Sequence, residues 1–144
     1  MANVAMDPTL VMNGTFGKVY SSDGEWLTNV QSAEANGALG KEEIKRSGNI
    51  AVGHKVMSIT YSGTMTGFRV TSKLAKQIAQ VKDEGKTSFV TELVMKLDDP
   101  DNPDGKTWVR LKGVQFDTIP ILKFEAGATV MEETPFTFSD FEYL

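Results

Sequence analysis

Between Met57 and Thr66 the chain reads MSITYSGTMT, with Ser58, Thr60, Ser62, Thr64 and Thr66 on one parity and Met57, Ile59, Tyr61 and Met65 on the other. Such alternation marks a β-strand, because successive side chains point to opposite faces of a sheet. The pattern predicts a strand over about Lys55 to Val70, far longer than the usual length of about 5–6 residues. Gly63 and Gly67 are its expected bends or bulges. One face is apolar. The other is built from small uncharged hydroxyls, where an ordinary solvated strand carries Lys and Glu. A strand of this length needs partners along its whole edge, so the chain must be built around a sheet.

The rest of the sequence supplies them. Residues 1–14 have no period and read as an arm, ordered only where something docks it. Strands are expected at Gly17–Tyr20 and Glu25–Glu34, joined through Asp23-Gly24, a dipeptide that tolerates the positive φ of a tight hairpin turn. Gly37, Gly40, Gly48 and Gly53 punctuate the next stretch around KEEIKR, so Ala35 to Gly53 reads as a solvated loop or the tip of a projecting hairpin. After the long strand the period changes. Leu74, Ile78 and Val81 recur at helical spacing, with Ser72 placed to cap and Gly85 to terminate, which predicts one amphipathic helix of about three turns lying on a sheet. Phe89, Thr91, Leu93, Met95 and Leu97 alternate again, and KTWVRLKGVQF returns after an acidic loop turned at Asp104-Gly105. Pro120 interrupts TIPILKF and marks an edge or bend. Val130, Phe136 and Phe138 share a parity near the end. About seven strands and one helix in 144 residues, with no repeat and no internal boundary, make a single mainly β domain. The expected architecture is a β-sandwich or split barrel with one flanking helix.

Little in the sequence points to chemistry. There is no cysteine and one histidine, His54, which lies away from any obvious Ser/Asp partner in sequence and reads as structural. Asp98, Asp99, Asp101 and Asp104 resemble part of a calcium loop. No glutamate stands at the twelfth position and two prolines break the run, so a hairpin tip is expected. GTMTG lacks the ending of a phosphate-binding loop. A net charge of −4 argues against a protein that grips nucleic acid. No apolar run reaches the roughly 20 residues of a membrane-spanning helix, and the first residues do not read as a secretory signal. Phe136, Phe138 and Phe141 read as core, with a hydrophobic dock as the sharper alternative. No catalytic, cofactor-binding or metal residue is assigned. What remains is a protein with much strand edge, which a building block can use to pair with further copies. The competing reading is a monomeric β-rich module binding a ligand near Trp26 or Trp108.

GHKVMSITYSGTMTGFRVTSK, the helix ending at Gly85, LKGVQFD and the terminal PFTFSDFE, taken in this order from about Asn29 to Glu142, resemble the tail tube proteins of PBSX-like prophages. The family belongs to contractile phage tails and phage-tail-like bacteriocins, and its fold is similar to that of type VI secretion tube proteins. The resemblance implies a structural subunit, not an enzyme. Six copies would form a ring, their inner strands joining into one β-barrel, and rings would stack into a hollow tube for DNA passage or envelope puncture. Implied partners are further copies of the chain, the tail sheath protein, and baseplate and tape-measure proteins. DNA would be met only in transit, with no specific nucleic-acid binding, no cofactor and no stable membrane association. The subunit would be made in the bacterial cytoplasm and end in the particle. A type VI-like secretion tube subunit is the alternative within this fold. By position, residues 35–53 would be a projecting inter-ring loop, with Lys41, Glu42, Glu43, Lys45 and Arg46 making inter-ring ion pairs. The hydroxyl set Ser58, Thr60, Ser62 and Thr64 is then expected to face the lumen.

Overall fold

A computed structural model describes residues 6–70, 72–83 and 85–144. Its strands are β1 (Gly17–Tyr20), β2 (Val30–Ile44), β3 (Gly53–Phe68), β4 (Thr91–Leu97), β5 (Thr107–Phe116), β6 (Met131–Phe138) and β7 (Asp140–Tyr143), with one short helix, α1 (Lys73–Ile78). All strands pair antiparallel in the order β1-β4-β5-β6-β3-β2, and β7 adds to β5 beside β6. The single sheet curls into a split barrel.

The corner lies where β5 leaves β7 and joins β6. Gly113 has φ +67°, and a side chain there would collide with Ser139, whose amide and hydroxyl both donate to the Lys112 carbonyl at 2.9 and 3.2 Å. Only glycine takes this turn without strain. Val19, Met65, Leu93, Leu111, Val114, Phe136 and Phe138 form the core inside the curl. Burying each such side chain stabilises the fold by about 1.5–3 kcal/mol. Gly63 is needed by the core: a methyl group there would strike the Glu34 carbonyl and the ring of Phe136, which is fully buried.

Three expectations need correction. The strand expected at Glu25–Glu34 begins only at Val30. Trp26 makes a lone bridge to Tyr20, and the chain then bends through Asn29, whose side-chain amide donates to the Phe68 carbonyl at 3.0 Å. Residues 35–53 are not chiefly loop, because Ala35 to Ile44 pair with Gly63 to Gly53. Of the glycines that suggested turns, Gly48 does turn the tip, with φ +76°, but two serve strand pairing: Gly37 lies under the Tyr61 ring, and a side chain at Gly40 would meet the Ser58 hydroxyl. The helix is shorter than three turns. It tightens into a 3-10 turn at Ala79–Lys82, and the Ser72 side chain makes no cap, since its oxygen accepts from Arg69 at 3.1 Å instead. Ile78 is its buried residue, while Val81 is half exposed. Gly85 has the positive φ, +86°, expected just past a helical segment.

The segment after β5 forms no strand from Asp117 to Val130. Pro120 has no amide to give a ladder. Arg69 pins the segment, donating to the Pro120 carbonyl at 3.1 Å and pairing with Glu132.

Candidate assembly interface

The β2–β3 hairpin is the dominant feature. Its root, up to Ala35 and Gly63, packs on the core. From Ala38 and Thr60 outward it is a free two-stranded arm. Eight residues of β3, Gly53 to Thr60, extend about 26 Å at the usual strand rise. Residues 45–52 close its tip.

The arm and the sheet behind it share one outward face. Register places Ser58, Thr60, Ser62, Thr64 and Thr66 of β3 beside Gly40, Ala38, Asn36, Glu34 and Ser32 of β2. On the other side of β3, Thr137, Pro135 and Glu133 of β6 stand opposite Ser62, Thr64 and Thr66, and Gln115 of β5 pairs with Thr137. The hydroxyl set expected from sequence therefore lies on one face. Ser58, Thr60 and Ser62 are exposed and Thr64 is half-buried. None of these paired positions holds Lys or Arg, and Glu34 and Glu133 make the face acidic. The contributions of β2, β5 and β6 were missed in the sequence because the signal needs pairing register.

The other face changes character along its length. Tyr61 and Met65 meet the core, with Tyr61 stacked on Phe138 at 5.1 Å. Leu39 and Ile59, opposite one another on the arm, remain 52 % and 49 % exposed. A bulge at Met57, unpaired between Gly40↔Ser58 and Lys41↔Val56, then resets the alternation. Beyond it Lys41 faces Val56, Glu42 faces Lys55, and Glu43 faces His54, all of them exposed. Lys45 and Arg46 lie in the tip, where Arg46 donates to the Ala51 carbonyl at 3.4 Å. The structure thus gathers the five charged residues named from sequence at the distal end of the arm.

Between the arm root and the β1-β4-β5-β7 part of the sheet opens a cleft of about 970 Å³, lined by Trp26, Ala35, Tyr61, Val109, Phe141 and Tyr143 among others. Lys18 Nζ sits 4.7 Å from the centre of the Trp26 ring. At the other end of the strands Ile121, Leu122 and Phe124 stand in water, 77 %, 68 % and 79 % exposed. Their apolar run was visible in TIPILKF, but its exposure was not.

The acidic loop does a structural job. Asp99 is buried, and its carboxylate accepts from the amides of Asn13 at 2.8 Å and Asp101 at 2.9 Å. Asn102 donates to the Leu10 carbonyl at 2.8 Å, so the N-terminal arm is tied down from Leu10 to Asn13. Just before it, Asp7 caps a 3-10 turn; the Thr9 amide, and then the Thr9 hydroxyl, hold its carboxyl below the ordinary range. Asp98 pairs with Lys96 and Lys106 at 3.7 and 3.6 Å. His54 is exposed on the arm.

A family model described as phage tail tube protein matches residues 4–144. Phage-like element PBSX protein XkdM of Bacillus subtilis (strain 168) is 31% identical over 140 residues, covering 96% of this chain and 94% of that protein. The fold is similar to a chain in the sheath-tube complex of the extracellular contractile injection system PVC in its extended state, with a TM-score of 0.71, 8% identity and 99% of both chains covered. It is equally similar, at a TM-score of 0.71 and 8% identity over 99% of this chain and 95% of the other, to a chain of the anti-feeding prophage tube-terminating cap.

Proposed function

This chain belongs to the phage tail tube protein family, and from that premise we propose that it is the structural subunit of the inner tube of a contractile phage tail or phage-tail-like particle. Six copies close into a ring, and rings stack into a hollow tube for DNA passage or envelope puncture. The observation that carries this reading is the outward face of β2, β3 and β6, acidic and hydroxyl-rich with no basic side chain at its paired positions. A wall facing a polyanion in transit should offer it no cation to grip. Among the described residues, the same sheet leaves the outer edge of β2 without a partner strand along Val30–Ile44, and joining edges between copies would close it into a barrel.

In this reading Ser58, Thr60, Ser62 and Thr64 line the lumen. The arm reaches the neighbouring ring, where Lys41, Glu42, Glu43, Lys45 and Arg46 make ion pairs. Sheath, baseplate and tape-measure proteins are the other partners, and no catalytic residue is required. The relative from a phage-like element favours a tail over a type VI-like secretion tube.

Negative-stain electron microscopy across a concentration series, with light scattering on the same samples, tests it. Hollow rings or tubes are expected. A strict monomer at every concentration, persisting after addition of baseplate components, would overturn the proposal.

A further inference from the structure

The two ends of the molecule are unlike, and each is incomplete. At one end the cleft stands open beside the arm, bounded by the last residue of β4, the first of β5 and Tyr143 near the end of β7. Its floor runs outward from Tyr61 and Gly37 into the bare Leu39–Ile59 pair, so cleft and arm form one apolar surface. At the other end the loop between β5 and β6 carries Ile121, Leu122 and Phe124, more exposed than side chains of this kind normally are. This is no loose tail. Arg69 holds it at Pro120 and Glu132, and the Arg69 amide donates to the Val130 carbonyl at 2.9 Å. From Tyr61, at the cleft, to Phe68, beside the loop, β3 runs seven residues, or about 23 Å at strand rise. The loop, pinned at the far end, thus leaves the cleft of its own copy empty.

Charge points the same way. The arm from Lys41 to Lys55 holds four basic and two acidic residues, a net of +2. The loop from Asp117 to Val130 holds one basic and two acidic residues, a net of −1, and Glu133 at the start of β6 beside it adds a further carboxylate, Glu132 being paired with Arg69. Complementary charge favours this pairing over arm to arm or loop to loop.

Resting on the tube reading above, we infer that the Ile121-Leu122-Phe124 knob of one copy seats in the cleft of a second copy placed end to end with it, while the second copy's basic arm lies along the acidic loop. The contact joins two different surfaces. Such heterologous contacts propagate, and a rotation that does not close on itself gives an open stack.

The chain lacks cysteine, so engineered pairs report without background. Ala126→Cys, beside the knob, is combined in turn with Thr28→Cys or Thr107→Cys, two exposed residues lining the cleft. Oxidation of assembled particles should give a covalent ladder on a denaturing gel for at least one pair, and none for the single variants or for Ala126→Cys with Thr137→Cys on the hydroxyl face. Tubes that form normally but give no ladder with either pair would overturn this contact and leave the tube reading standing. A ladder from Thr28→Cys with Asn49→Cys in the arm tip instead would give the cleft to the tip, also overturning it. If the protein stays monomeric, the tube reading is what fails first, and the free cleft is then probed with a synthetic peptide of residues 118–128. A saturable shift in tryptophan emission of a Trp108→Phe variant, which leaves Trp26 as the reporter, lost when the peptide carries Ile121→Asp and Phe124→Asp, supports the contact. No shift with either peptide overturns it.

Discussion

Asp99 shows how one residue can join distant parts of the chain. Its buried carboxylate accepts amides from Asn13 and Asp101, fastening the N-terminal arm to the β4–β5 loop. Hydrogen bonds to a charged group contribute about 1.5–3 kcal/mol. Asp99→Ala is therefore expected to lower stability by that order, read as a fall in the urea midpoint, and to speed hydrogen exchange at the Asn13 amide. An unchanged midpoint with unchanged exchange would show that the arm is held by other contacts. In sequence Asp99 was one of four aspartates in a loop, and nothing distinguished the buried one. That distinction depends on a partner 86 residues away. Gly113 was equally opaque, because its positive φ and the Ser139 side chain that crowds it both belong to a corner defined only by the fold.

At the scale of elements, the β2–β3 hairpin divides into a packed root and a bare arm. The arm gains little from the core, so changes at its tip should leave folding intact. Lys45→Glu with Arg46→Glu should weaken contact between rings without shifting thermal unfolding of the free subunit. Shorter tubes at equal protein concentration, seen by electron microscopy, are the expected result; tubes of unchanged length would count against the arm as the inter-ring contact. Most of β3 was legible in the sequence, since hydroxyls at every second position from Ser58 to Thr66 keep a period of two, which puts them on one face of a strand but scatters them around a helix. β2 was not. Its glycines normally weaken strands, and they persist here because Tyr61 and Ser58 lie across them. The helix was overread for the converse reason: the period of Leu74, Ile78 and Val81 is real, but of the three only Ile78 is buried.

For the molecule as a whole, the family and fold could be anticipated, whereas the cleft and the exposed knob could not, because both are defined by what one copy leaves uncovered. The hydroxyl face gives a direct test at this scale. In the free subunit a cysteine replacing Ser62 should react with both a small maleimide and one carrying a long polymer. In assembled tubes the small reagent should still react and the bulky one should be excluded. Equal labelling by the bulky reagent before and after assembly would place that face outside.

The bulge-bearing arm at one end and the pinned loop at the other give a stack of these subunits a direction. In an end-to-end assembly, one terminus presents basic hairpins with empty clefts, and the opposite terminus presents acidic loops with bare apolar knobs. These surfaces are not interchangeable. A protein that starts the filament has to mimic one of them, and a protein that halts it has to mimic the other, so initiation and termination require two different molecules.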